Sequence, residues 1–151
     1  MKALTISQPY ASLIASGEKW VENRTWPTDY RGLLAIHAGK GTQYLDKHEL
    51  NEYPTGCVIA VAKLIDCVAR QFVHSGDLRL IPGTSPQALR TYAGVARHQH
   101  TEGPWCWVFD TVFEIKHVPA RGAQGLWEWR FDPAATGEPM PTGDVPSRYN
   151  V

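Results

Sequence analysis

The stretch from Ile6 to Gly32 constrains this chain more than any other, reading I-S-Q-P-Y-A-S-L-I-A-S-G-E-K-W-V-E-N-R-T-W-P-T-D-Y-R-G. It opens at the end of an alternating, partly β-branched run, Lys2 to Ser7, which predicts a strand. Ser7 is placed to cap a helix, with Pro9 in the first turn, where a missing N–H costs nothing. Tyr10 to Ser16 then gives one short helix, with Tyr10, Leu13, Ile14 and Gly17 on one face and Gly17 as a left-handed stop. Lys19 to Trp26 follows as a second strand. Period two puts Trp20, Glu22, Arg24 and Trp26 on one face and Val21 and Asn23 on the other. Lys19 joins the second face unless a bulge or the turn redirects it. A buried unpaired charge is costly, so a strand this rich in charge either borders a working cleft or holds a structural ion pair.

The rest of the chain reads as strands with helices between them. Gly32 to Ala38 is a nearly continuous apolar run containing His37, and predicts a buried strand. Thr42 to Glu52 predicts a helix. Gly56 to Ala69 predicts a long central strand, Gln87 to Arg97 a helix, Trp105 to Val118 a strand or bent pair, and Gly125 to Phe131 a closing strand. Asp132 to Val151 carries four prolines and two glycines and predicts an extended tail. The expected organisation is one domain over 1–131 and a tail over 132–151. The pattern alone is that of an α+β protein built on a small barrel.

The stretch Gln8-Pro9, then Gly17-x-Lys19-x-x-Glu22-x-Arg24, then Trp26 and Arg31-Gly32, resembles the ASCH domain family of the PUA-like superfamily, in its small bacterial and phage branch. Pro119-x-x-Gly122-x-x-Gly125-Leu126-Trp127 is a weaker echo of the family's closing strand. The resemblance implies a PUA-like mixed β-barrel, or pseudobarrel, with short helices packed around it. Some relatives are acetylcytidine amidohydrolases that use a Lys, a Thr and a Glu. The matching lysine is Lys19, and Glu22 stands where those enzymes have threonine. Other relatives are ribonucleases or nucleic-acid binders.

The chemistry these residues offer is polar and metal-free. Glu22 and Arg24, about 7 Å apart along one strand face, can pair with each other, or can serve a ligand separately. Arg24 suits a phosphate or carboxylate, and Glu22 a base edge or a proton transfer. Lys19, Glu22 and Arg24 are the candidate catalytic set. Ser7, Gln8, Pro9, Tyr10, Trp26, His37 and Lys40 join them as candidate ligand-binding residues. Ser7 and Gln8 stand at a helix start, which offers N–H groups to an anion. Tyr10 and Trp26 are the candidates for stacking a base. Most of the six tryptophans belong in the core, including the pairs Trp105/Trp107 and Trp127/Trp129.

Fifteen basic residues balance fifteen acidic ones, which argues against coating duplex DNA by bulk charge but allows a local basic cleft. Cys57, Cys67 and Cys106 form no C-x-x-C pair and read as buried, reduced thiols. His98 and His100 are the only close histidine pair. In a helix they would point apart, so no metal site and no cofactor are expected. No run approaches membrane-spanning length, and Met1-Lys2-Ala3 leads straight into a strand, so a cytoplasmic protein is expected. The leading functional expectation is binding of RNA, single-stranded nucleic acid or a modified nucleoside. The alternatives are a metal-independent hydrolase in the same cleft, either amidohydrolase or ribonuclease, and a protein-interaction module. The sequence leaves the oligomeric state open.

Overall fold

A computed structural model describes residues 1–71 and 94–136. The elements are β1 (Lys2–Ile6), α1 (Tyr10–Ala15), β2 (Val21–Arg24), β3 (Gly32–Ala38), β4 (Cys57–Ala69), β5 (Trp105–Pro119), β6 (Leu126–Glu128) and α2 (Pro133–Thr136). The six strands hydrogen-bond in the order β2-β5-β4-β3-β1-β6. This is the α+β class expected from the sequence, with a sheet of mixed parallel and antiparallel pairs. The chain divides into two compact units. The first holds Met1–Lys19, Leu33–Lys63 and the described part of Thr111–Pro146. The second holds Trp20–Gly32 and the described part of Leu64–Asp110.

In the first unit, β1 runs parallel to β3, with Thr5 opposite His37, and antiparallel to β6, with Ala3 opposite Trp127. Two strand neighbours explain why β3 is apolar without alternation: Leu34 through Ala38 are all buried. Ala3, Ala35, Val58, Val61, Ile115 and Trp129 form this unit's core. In the second unit, β2 lies antiparallel to β5, with Glu22 opposite Trp107 and Arg24 opposite Trp105. Its core is Val21, Val68, Val95, Cys106 and Val108, with Trp20 packed against it.

Several local expectations change. Ser7 does not cap α1: its carbonyl accepts from the Ala11 N–H, and its hydroxyl accepts from Gln43. Pro9 is the N-cap residue, and the side chain that serves the helix start is Gln8, whose Oε1 accepts from the Ser12 N–H at 3.0 Å. The strand expected from Lys19 to Trp26 is only Val21–Arg24. Gly17 does adopt the left-handed conformation (φ 81°) that ends α1. Residues 42–52 form successive turns rather than a helix, with N–H groups bonding three residues back, as Leu45 does to Thr42 and Glu49 to Asp46. Tyr44 and Leu50 stay exposed there, so no apolar face exists to hold a helix against the sheet. β5 is one 15-residue strand, not a bent pair. The tail opens with the short helix α2 rather than an extended segment. Most of the helix expected at 87–97 lies outside the described residues. Residues 94–97 are helical.

Asn23 holds the turn that precedes β5. Its Nδ2 donates to the His100 carbonyl, and its Oδ1 accepts from the N–H groups of Glu102 (3.0 Å) and Gly103 (2.8 Å). A Cβ on Gly103 would sit 2.6 Å from the Asn23 Cβ, so the turn closes only with glycine there. Asn23→Ala is expected to cost about 2–3 kcal/mol, three hydrogen bonds at roughly 1 kcal/mol each. Asn23→Asp keeps both acceptor contacts but sets a second acceptor oxygen against the His100 carbonyl, so part of the loss should persist. Urea unfolding of the two variants measures the split, and an Asn23→Ala protein as stable as the parent would refute the role of these bonds.

Candidate functional site

The motif residues fall into both units. In the first, Gln8 is fully buried, and its amide is committed to the fold. Nε2 donates to Ser12 Oγ at 2.9 Å and to the Pro54 carbonyl at 2.7 Å. With both donors used, Gln8 works as a latch between α1 and the 53–56 segment. The short helix leaves no anion site at its start, because the N–H groups of Ala11, Ser12 and Leu13 bond Ser7, Gln8 and Pro9. Lys19 is not on the strand. It ends the turn after α1, with its N–H on the Leu13 carbonyl at 2.9 Å. That turn carries the side chain inward: Lys19 is 2% exposed, and its ammonium stands 5.9 Å from the centre of the Tyr10 ring. Tyr10 in turn meets Tyr44 edge-on at 5.4 Å.

In the second unit, Glu22 and Arg24 form an ion pair, Oε1 to Nη2 at 3.3 Å, with side chains 10% and 22% exposed. Trp26 packs edge-on against Trp107 at 4.8 Å. Arg31 is spent on structure: its guanidinium pairs with Asp66 at 3.1 Å and donates to the carbonyls of Thr28 and Tyr30. His98 and His100 do not point apart. Their rings lie 5.4 Å from each other, and the His100 N–H donates to His98 Nδ1. Among the described residues no three His, Cys, Asp or Glu side chains gather as metal ligands.

His37 and Lys40 come together at a pocket of about 820 Å³ within the first unit, formed by the ends of β1 and β3, the start of β4 and the segment after β5. Thr5, His37, Lys40, Arg121, Gly122 and Gln124 supply its polar and close-packed lining. Among the described residues no Asp or Glu lines it. His37 is 2% exposed, and its Nε2 lies 2.9 Å from the Ala120 carbonyl. A carbonyl can only accept, so Nε2 carries a hydrogen, and in the neutral ring Nδ1 keeps its lone pair. That Nδ1 is buried and has no hydrogen-bond partner among the described residues. Trp127 stands edge-on to His37 at 5.5 Å and donates its indole N–H to Thr5 Oγ1 at 3.1 Å.

Arg121 and Gly122 are absent from the candidate residues read from the sequence. The closing-strand echo at Pro119 to Trp127 pointed to them, because its first six residues, Pro119 to Gln124, form one wall of the pocket. Cys57 and Cys106 are buried as expected, whereas Cys67 is only half-buried; burial pushes the Cys57 thiol up from its ordinary value, and does the same to Cys67 against smaller opposing contacts from Thr28 and Arg31.

This fold and motif define an ASCH protein. The family model for the ASCH domain matches residues 4–93, and the chain belongs to that family. Over 84 residues it is 37% identical to activating signal cointegrator 1 of Mus musculus and 36% identical to that of Homo sapiens. Those matches take in 45% of this chain and 14% of each relative, so the chain spans about one seventh of their length. Among solved structures, ASCH from Zymomonas mobilis superposes with a TM-score of 0.51 at 19% identity, covering 85% of this chain and 87% of that one. A serine-to-alanine mutant of the same Zymomonas mobilis protein gives 0.51 at 20% identity, with coverage of 85% and 87%. These likenesses establish the shared fold.

Proposed function

We propose that this chain binds RNA or another single-stranded nucleic acid, or a modified nucleoside, through the pocket of the first unit. The observation that supports this reading is a pocket of about 820 Å³ that carries Lys40 and Arg121 and, among the described residues, no carboxylate. That volume lies in the range of small-molecule sites, roughly 300–1,000 Å³. With no net charge on the chain, attraction for a polyanion has to be local, and this pocket is a local excess of positive charge. Within the same unit, Tyr10 adds a half-buried ring on which a base can stack in this proposal.

The test is a tryptophan-quenching titration with single-stranded RNA, single-stranded DNA and free modified nucleosides, with Trp127 as a reporter close to His37. Saturable quenching by a strand is expected. Combining Lys40→Ala with Arg121→Ala is expected to weaken it at least about tenfold at low salt. It should also reduce the slope of log K against log salt by about 1.4, two contacts at roughly 0.7 each. Unchanged binding by the double variant would remove the pocket from the account. Turnover followed in the same titrations separates a binder from a hydrolase. Product formation that Glu22→Gln abolishes would assign proton transfer to Glu22.

A further inference from the structure

We infer that the pocket of the first unit takes a phosphomonoester: the free phosphate at the end of a strand, or that of a mononucleotide. The inference rests on the nucleic-acid reading above and narrows it from a strand in general to its phosphorylated end.

Three features lead there. Charge comes first. A phosphomonoester carries about −1.5 to −2 at neutral pH, whereas each phosphate inside a strand carries a single negative charge. Lys40 and Arg121 bring two cations to the same cavity, and no described lining carboxylate offsets them. Both side chains are exposed at the surface, so they can fold over an entering anion. Arg121 can grip two phosphate oxygens at once, and Lys40 can act as a point charge.

The walls come second. Gly39, Gly56, Ala120, Gly122 and Ala123 line the pocket, and among the described residues no Phe, Tyr or Trp does. Sites that hold the bases of single strands stack them on aromatic rings. A pocket with small walls and cations suits the sugar-phosphate end of a nucleotide and leaves the base outside.

His37 comes third. Its Nδ1 is a buried nitrogen without a hydrogen-bond partner among the described residues, on a ring that lines this pocket, and in the neutral ring it is an acceptor. A buried polar atom left unsatisfied is costly. A singly protonated phosphomonoester brings an O–H donor of its own, and an internal diester phosphate brings none.

The experiment compares one RNA sequence with a 5′-phosphate, with a 3′-phosphate and with hydroxyls at both ends, together with adenosine and its 5′-monophosphate. A hydroxyl-ended strand one nucleotide longer controls for added charge. The full chain is used, and binding is read by fluorescence and by calorimetry. A phosphate-ended ligand is expected to bind about tenfold or more tightly than its hydroxyl twin and than the longer control. Lys40→Ala with Arg121→Ala should erase that preference. The arm that responds identifies the source: a 5′ end, a 3′ end or a free mononucleotide. If hydroxyl-ended and phosphate-ended strands bind alike, the phosphomonoester inference is overturned while nucleic-acid binding stands. If no strand and no nucleotide binds, both fall together.

Discussion

Trp107→Ala is expected to lower the unfolding free energy by about 3–5 kcal/mol, the range for truncating a large buried aromatic. Trp107 is the largest of the fully buried side chains among the described residues, with no exposed surface. It lies on β5 opposite Glu22, and its indole N–H donates to the Trp26 carbonyl at 3.3 Å. The ring of Trp26 meets it edge-on at 86°. Truncation therefore removes buried apolar area, leaves a cavity and strips a hydrogen bond together. At about 2–4 °C per kcal/mol for a chain of this length, the melting temperature should fall by roughly 6–20 °C. Trp105→Ala is the internal comparison. Trp105 is two residues away on the same strand face, yet only half-buried, so its loss should be much smaller. Scanning calorimetry of the two variants decides the matter. Equal losses would mean that burial does not separate these tryptophans, and a Trp107→Ala protein melting like the parent would refute the packing account.

The contrast between these two tryptophans also shows what the sequence could and could not reveal. Period two correctly puts both on one face, but the depth of each is set by which strand lies beside it, and pairing between distant segments leaves no local trace. Long apolar runs were legible for the same reason that they fold: β3 and β4 are covered by strands on both sides, and a strand with two neighbours has little room for polar residues. Gly17 was legible because only a left-handed residue ends the helix there. Residues 42–52 misled because helix propensity is a weak prior where no apolar face is buried. Lys19 shows how one turn reverses a prediction: its backbone belongs to the turn after α1, so strand alternation never governed where its side chain points. Gln8 was legible as a polar residue at the helix start, but not as a latch, because Pro54 lies 46 residues away. The pocket was half legible. His37 and Lys40 lie at the end of β3 and just beyond it and were candidates, whereas Arg121 and Gly122 reach it from the far end of β5.

Gly122→Ala is expected to close the pocket and abolish ligand binding, a loss of about tenfold or more, while the fold survives. A Cβ at Gly122 would stand 2.5 Å from His37 Cε1, 2.7 Å from His37 Nδ1 and 2.7 Å from Thr5 Oγ1. Neither neighbour yields easily. His37 is tied to Ala120 and sits opposite Thr5 in the parallel pair of β1 and β3, and Thr5 Oγ1 accepts from Trp127. Forcing atoms into a packed site costs about 1–3 kcal/mol. The cheapest relief is for the 120–124 segment to swing off His37, which breaks the Ala120 contact and displaces Arg121 from the cavity. Gly125→Ala is the matched control. Its Cβ would meet nothing within 4 Å, and its cost is confined to the left-handed backbone, φ 69°. Both variants should therefore lose modest stability, and only Gly122→Ala should lose the ligand. Titrating each against the tightest-binding strand or nucleotide, beside its melting curve, measures the two effects separately. If Gly122→Ala binds like the parent, the ligand does not use the space beside His37, and the anion contacts of Lys40 and Arg121 would have to act at the surface alone.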